Sequence, residues 1–352
     1  MTSSTLNKTI VGIIFGGANS EHEVSCASAS GVFANLDRER FEPVLIRISR
    51  DGLWQRVESI DDPATGGELL PDLSDLDIVL PVLHGRFGED GTVQGLFELV
   101  GVPYVGCGVL SSALAMDKLM TQRVLSAAGL PTIPTRGVSD RTRHTASAVA
   151  DELGYPVFVK PNRAGSSVGA SRVDSPAELD AALDLALASD SIALLQPVVV
   201  AEEIDLGVLQ EIDGELSIGA PLHILSDDGR AFFDYASKYT AGGHEFEVPA
   251  RLSDELRATL ESFAITAFRA LDCEGLARVD FFLSADGTVA INEVNTLPGM
   301  TALSQYPTIW EAAGVGYREL ITRLIDRGLA ARSAGSRSAG SRATDARPAQ
   351  AR

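Results

Sequence analysis

The sequence predicts a mixed α/β (α+β) protein: a doubly wound parallel α/β unit at the N-terminus, followed by two α+β units carrying antiparallel sheet. Three observations predict it. Residues 9–15, TIVGIIF, are a continuous apolar run that ends in Gly16-Gly17 and gives way to helical spacing, the strand, glycine turn, helix order of a parallel sheet. After the strand at 192–199, the run IDLGVLQ reaches an Asp213-Gly214 turn and another strand, which is antiparallel order. Residues 276–301 then place two further apolar runs on either side of Asp286-Gly287, a two-residue hairpin signal.

Composition sets the limits. A chain of 352 residues, 45% of them hydrophobic, is too long for one ordinary core and suits two or three domains. The apolar runs are short and interrupted, and MTSSTLNK leads into a strand rather than a signal sequence, so a cytoplasmic protein without membrane association is expected. Cys26, Cys107 and Cys273 show no metal-like spacing and read as small buried residues in a reducing compartment. A formal net charge of -19 argues against nucleic acid as a partner and leaves a small anionic substrate open.

Taken in order, the first strand and its glycine turn present Glu21 and His22 at the start of a helix. Strands follow at 43–48 and 77–83, and the second ends in His84-Gly85 within HGRFGEDGTVQG. His84 reads equally well as a hydrogen-bonded structural residue and as a ligand. The first unit closes near residue 106. A second unit, 107–200, opens with a single helix over SSALAMDKLMTQRVLSAAG that carries Lys118, and a strand at 156–160 delivers Lys160 to the loop NRAGSSVGAS. Glycines and serines there form a flexible cover whose backbone N–H groups suit phosphate oxygens. Ser175, Pro176 and Glu178 start a packing helix at 176–188 with a capping box. A third unit, 201–330, contains a polar loop at 226–249 that reads as a lid, an amphipathic helix at 253–271, the hairpin, and a final helix to about 330. The remainder, 331–352, repeats RSAGS without large apolar side chains and is expected to be a disordered, solvated tail.

The hairpin carries the chemistry. A tight turn at Asp286-Gly287 pairs Asp280 with Glu293 and Arg278 with Asn295, and strand alternation puts all four on one face. Two carboxylates and a carboxamide oxygen are hard ligands that suit Mg²⁺ completed by substrate phosphates, and the guanidinium suits the same phosphates. A solvated face of charge pairs fits less well, because the flanking Val279, Phe281, Val289 and Ile291 are apolar.

Seven motifs, GGANSEHEVS, LHGRFGEDGTVQG, MDK, VKPNRAGSSVG, SKY, RVD and NEVNTLPGMT, together resemble the D-alanine:D-alanine ligases of the ATP-grasp superfamily over residues 9–328. The resemblance implies an ATP-grasp fold in which two α+β domains clamp ATP as co-substrate. It implies Lys118 and Lys160 on ATP phosphates, Ser166 and Ser167 in the glycine-rich loop, Glu203 on the ribose, and Gln196 and Val199 at the adenine hinge. Asp280, Glu293 and Asn295 are implied ligands of two Mg²⁺ (or Mn²⁺) ions. Glu21 is implied to bind the ammonium of the first D-alanine, His84 to line its subsite, Ser304 to hold the second carboxylate, and Arg278 with the Gly299 N–H to stabilise the tetrahedral oxyanion. Lys238 and Tyr239 are implied to close over both substrates. Gln196-Pro197 departs from the acidic or lysine residues common at the family's hinge, and the arginine tail lies outside the family pattern. The implied product is D-alanyl-D-alanine made by a homodimer. A ligase joining D-alanine to D-lactate or D-serine, and a nucleotide-binding regulator without turnover, are the alternatives. Tyr239 favours an amino-acid acceptor, and the complete set Arg278, Asp280, Glu293 and Asn295 favours catalysis.

Overall fold

The computed structural model describes residues 8–63, 66–69, 71–165, 168–225 and 245–343. Among these, three sheets follow one another along the chain. The first is built on β1 (Thr9–Gly16), which pairs in parallel with β2 (Phe41–Ile48) and with β4 (Ile78–Pro81), while β3 (Trp54–Val57) adds an antiparallel edge. Both faces of β1 are covered, which is why its sequence is a continuous apolar run rather than an alternation. Helix α1 (His22–Asn35) follows its glycine turn, and α2 (Thr92–Val100) follows the His84 loop.

A second sheet, ordered β5-β8-β6-β7, contains β5 (Arg136–Val138), β6 (Val157–Pro161), β7 (Ser171–Val173) and β8 (Ala193–Pro197), all antiparallel. Helices α5 (Ala146–Leu153) and α6 (Leu179–Leu187) close its core through Ala150, Leu183 and Ala186. The third sheet has six strands: β9 (Glu202–Gln210), β10 (Leu216–Ile218), β11 (Leu222–Leu225), β12 (Glu245–Glu247), β13 (Leu276–Leu283) and β14 (Val289–Asn295). Period-two alternation divides its faces. Ile204, Leu206, Val208, Ala277, Val279 and Phe281 form a core with α7 (Asp254–Ala270), and the residues between them point to the other side. Helix α8 (Gln305–Ala312) packs there, and α9 (Tyr317–Ala343) returns to the first sheet, where Leu320, Ile321, Leu324 and Ile325 meet Val11 and Ile13.

Several sequence expectations need correction. The single helix expected at 111–129 is two, α3 (Val109–Met116) and α4 (Lys118–Ala127), because Asp117 leaves the helical region and accepts the Met120 N–H at 3.0 Å as an N-cap. Leu125 from this segment and Leu130 just after it join the core of the six-stranded sheet, not that of the sheet that follows them in sequence. At 176–188 a 3-10 turn precedes α6, and Glu178 bonds back to Asp174 and Ser175 without a Ser175 cap on the helix. The last helix continues to Ala343, past the expected end near 330; alanine and arginine favour helix and no proline intervenes before Pro348. The greater part of the expected lid, 226–244, lies outside the described residues. No helix among the described residues is long and apolar enough to cross a membrane.

Candidate active site

The hairpin has the expected pairs and an unexpected route to them. Arg278 faces Asn295 and Asp280 faces Glu293. Near the turn, however, the loop has three residues, Ala285 to Gly287, closed by Ser284 N–H to Thr288 O at 2.9 Å, so Leu283 pairs with Val289. A bulge between Phe281 and Asp280 then takes up one extra residue on β14 and restores the expected register where the charges lie. The bulge also leaves consecutive residues Asn292 and Glu293 both on a cleft wall.

Strand β9 supplies what sequence reading missed. Asp205 sits directly opposite Asp280 across β9 and β13, so Asp205, Asp280 and Glu293 form a row over three adjacent strands. Arg278 holds Asp280 with both Nε (2.7 Å) and Nη2 (2.8 Å), and Nε lies 3.5 Å from Asp205. Asn295 Nδ2 donates to Asp280 Oδ2 at 2.9 Å. Burial works against the Arg278 charge, but Asp280, Asp205 and Glu293 more than offset it and hold the guanidinium protonated. No pattern in β9 alone marks Asp205, whose significance comes from its cross-strand neighbour.

Carboxylate oxygens of Glu203, Asp205 and Asp280 lie within 4.8 Å of one another. Asp205 and Asp280, with Glu293 and Asn295 alongside, make an all-oxygen donor set that fits a hard divalent cation, and Glu203 stands at its edge on the cleft wall.

A cleft of about 810 Å³ runs between the second and third sheets, lined by Lys118, Lys160, Gln196, Val199, Glu203 and Glu293 among others. Lys118 is the first residue of α4, where the Asp117 cap fixes its direction. Its Nζ donates to Ala164 O at 3.1 Å and stands 3.4 Å from Glu293 Oε2, tying the glycine-rich loop to the acidic strand. Gln196 is buried, and its amide donates to Thr135 Oγ1 at 2.8 Å.

Glu21 enters from the other side. Its carboxylate is set between two glycines: a Cβ at Gly85 would overlap one oxygen, and a Cβ at Gly165 would stand 3.1 Å from the other. Gly85 also has φ +65°, a backbone conformation that favours glycine, and a side chain there would displace the Glu21 carboxylate. Asn19 fixes this junction by donating to His84 O (2.8 Å) and Arg86 O (2.9 Å) while accepting the Glu21 N–H (2.9 Å). Glu89 accepts the Gly85 N–H at 2.7 Å. Burial and the neighbouring Glu21 push its carboxyl up to about 8, against that hydrogen bond. Both Asn19 and Glu89 stand inside motifs quoted above, yet neither was singled out, since partners from distant loops give them their roles.

His84 is buried, and its imidazole is pushed down to about 4 by burial, with the Leu297 backbone opposing and Arg278 adding to the fall. Ser304 precedes α8; its Oγ accepts the Thr301 N–H at 3.0 Å, and a Cβ on Gly299 would lie 2.8 Å from it. His84, Gly299 and Ser304 thus stand apart from the cleft wall, around the loop that follows β14. Ser166, Ser167, Lys238 and Tyr239 lie outside the described residues.

Comparison with known proteins gives a consistent result. Residues 10–107 match the profile of the D-ala D-ala ligase N-terminus, and residues 124–326 match that of the D-ala D-ala ligase C-terminus. A D-alanine–D-alanine ligase of Nocardia farcinica is 43% identical over 356 residues, spanning 92% of this chain and 98% of the relative. One from Corynebacterium aurimucosum is 44% identical over 353 residues, 91% of this chain and 97% of the relative. Among solved structures, the D-alanine-D-alanine ligase of Coxiella burnetii superposes with a TM-score of 0.85 at 28% identity, covering 97% of this chain and 99% of that one. The VanG D-Ala:D-Ser ligase of Enterococcus faecalis superposes with a TM-score of 0.80 at 35% identity, covering 92% and 100%.

Proposed function

The chain belongs to the D-alanine–D-alanine ligase family, and on that premise we propose that it joins two D-alanine molecules to D-alanyl-D-alanine for peptidoglycan precursor synthesis, converting ATP to ADP and phosphate. The observation that carries the reading is the position of Lys118, which touches both the glycine-rich loop and the acidic strand across one cleft.

In the first step the carboxylate of one D-alanine attacks the γ-phosphorus; the bond to the bridging oxygen breaks, ADP leaves, and a D-alanyl phosphate forms. A carboxylate is a poor electrophile, and the mixed anhydride supplies a leaving group that water would destroy in an open site. Lys118 and Lys160 meet the phosphate charge, Gln196 and Val199 the base, and Glu203 the ribose. Ser167 belongs to the phosphate cover. Asp280, Glu293 and Asn295 are the residues to hold two Mg²⁺ or Mn²⁺ ions, with Asp205 beside them. Such ions, when bound, neutralise charge on the transferring phosphoryl group.

In the second step the amine of the other D-alanine attacks the acyl carbon, and phosphate leaves. Glu21 holds the first ammonium, with Ser166 and Tyr239 completing that side, Ser304 meets the carboxylate of the second substrate, and Lys238 with Tyr239 closes over both substrates. Arg278 commits Nε and Nη2 to Asp280, which leaves Nη1 for the oxyanion together with the Gly299 N–H. The three sheets are read as domains at 1–106, 107–200 and 201–330, in a cytoplasmic homodimer. Exposed Leu99, Val100, Val109 and Leu110 on α2 and α3 offer the apolar surface that a second copy needs.

The test is phosphate release from ATP across D-alanine, D-serine and D-lactate, with products identified by mass. D-Alanyl-D-alanine formed with one ADP per dipeptide is expected. A preference for D-serine or D-lactate as acceptor would move the chain to the neighbouring ligase class, and turnover with none of them would overturn the reading.

A further inference from the structure

Three parts of the chain meet beneath Leu297–Met300. Ser28, on α1, is fully buried. Its Oγ accepts the Met300 N–H at 3.3 Å and lies 3.2 Å from His84 Nε2. The Leu297 backbone lies near enough to the His84 ring to oppose the fall in its pKa. A neutral ring has one N–H, and Nε2 faces Ser28. With the hydrogen on Nδ1, Nε2 accepts from the Ser28 hydroxyl, which leaves a Ser28 lone pair for Met300.

The same loop is held from its other side. The Tyr317 hydroxyl donates to Met300 O, and Gly31 lets α1 approach that oxygen, since a Cβ there would lie 2.9 Å from it. Thr301 gives its N–H to Ser304. The amides on the C-terminal side of Gly299 are therefore engaged, whereas the Gly299 N–H has no partner among the described residues. A buried hydroxyl is costly without partners, so packing alone would be served by alanine at position 28.

We infer that Ser28 and His84 are positioning residues that together hold the Leu297–Met300 segment so that the Gly299 N–H is aimed at the oxygen becoming negative in the tetrahedral intermediate. This rests on the reading of Gly299 as an oxyanion donor. His84 acts here through the loop, and Ser28 reaches the reaction only through Met300. An amide displaced by a fraction of an ångström still permits substrates to bind and stabilises the oxyanion poorly, so the relay belongs to kcat and not to KM.

Steady-state kinetics of Ser28→Ala, Ser28→Cys, His84→Gln and the double variant Ser28→Ala/His84→Gln test it, with thermal unfolding recorded for each. Ser28→Ala is expected to lower kcat about 10- to 100-fold with KM for ATP and for both D-alanines within about twofold of wild type. Ser28→Cys keeps the volume and a weak donor and should recover part of that loss, which also covers the case in which the alanine variant folds poorly. Because the two residues act as one unit, the double variant should be no slower than the worse single variant. An unchanged kcat in folded Ser28→Ala, losses that multiply in the double variant, or a loss seen only as a raised D-alanine KM would each overturn the relay. Arg278→Lys in the same assay separates the two levels. If it turns over like wild type, the oxyanion reading itself fails; if it is crippled while Ser28→Ala is normal, only the relay fails.

Discussion

Lys118 and Arg278 are two cations facing the same row of acids, and they are built in opposite ways. Lys118 stands at a helix start in an open cleft, with a carboxylate at 3.4 Å and a carbonyl oxygen at 3.1 Å. Arg278 lies inside a sheet with both of its paired nitrogens on Asp280 at 2.7 and 2.8 Å. The lysine is a point charge whose loose contacts can be handed over to an arriving phosphate. The arginine is a fixed fork, and its direction is settled before any substrate is present. One centre therefore recruits and the other is preorganised, and substitutions should tell them apart.

The largest effect is expected at Asp280. Asp280→Ala leaves a buried guanidinium without its main partner, for which about 3–5 kcal/mol of stability loss is usual. Asp280→Asn keeps the shape and should retain the fold while turnover is lost. Urea unfolding with a steady-state assay checks both, and a loss below about 1 kcal/mol for the alanine variant would mean that Asp205 alone suffices as partner. Next comes Arg278→Lys, which keeps the charge and loses the fork; kcat should fall about 100-fold or more. If only KM for ATP rose, Arg278 would belong with Lys118 as a recruiting cation, and the contrast would dissolve. Lys118→Met should raise KM for ATP about 10- to 100-fold, as for the loss of a charged hydrogen bond, while stability moves by less than about 1 kcal/mol.

A smaller effect concerns Glu89, which extends the comparison to an acid. Its folded carboxyl keeps a proton up to about 8, whereas the ordinary value is 4.5. Between those values the folded state binds more protons than the unfolded one, so this group's contribution to stability declines as pH rises. Glu89→Gln removes the titration. The Tm of wild type relative to this variant should therefore fall from pH 5 to pH 8, and a difference that stays flat would show that Glu89 is ionised throughout. Smallest of all is truncation after residue 330, which spares Leu320 to Ile325 and should leave turnover unchanged. A large loss in the truncated protein would give the C-terminal residues a docking role.

The difference between the two cations also marks what the sequence could convey. Arg278, Asp280, Glu293 and Asn295 were legible because strand alternation is local and the apolar residues between them are core. The register came out right through two departures that cancel, a longer turn and a bulge, and neither is visible without the partner strand. Lys118 was found, but as a residue inside one helix; that Asp117 would break it depends on a cap competing with helical continuation. Asp205 was overlooked because nothing in EEIDLG distinguishes it until β13 lies beside it. Parallel β1 was plain, since a strand covered on both faces announces itself as an unbroken apolar run.

The return of α9 to the first sheet bears on how the chain is made. Val11 and Ile13 leave the ribosome long before Leu320, Ile321, Leu324 and Ile325, which cover them, and the Arg40–Asp326 ion pair closes the same seam. Until those residues emerge, the nascent sheet around β1 must carry an uncovered apolar face, with the loop-closure entropy of the long intervening segment still to be met. Aggregation is then a race against translation, and a chain stalled before Tyr317 is the species most in need of a chaperone.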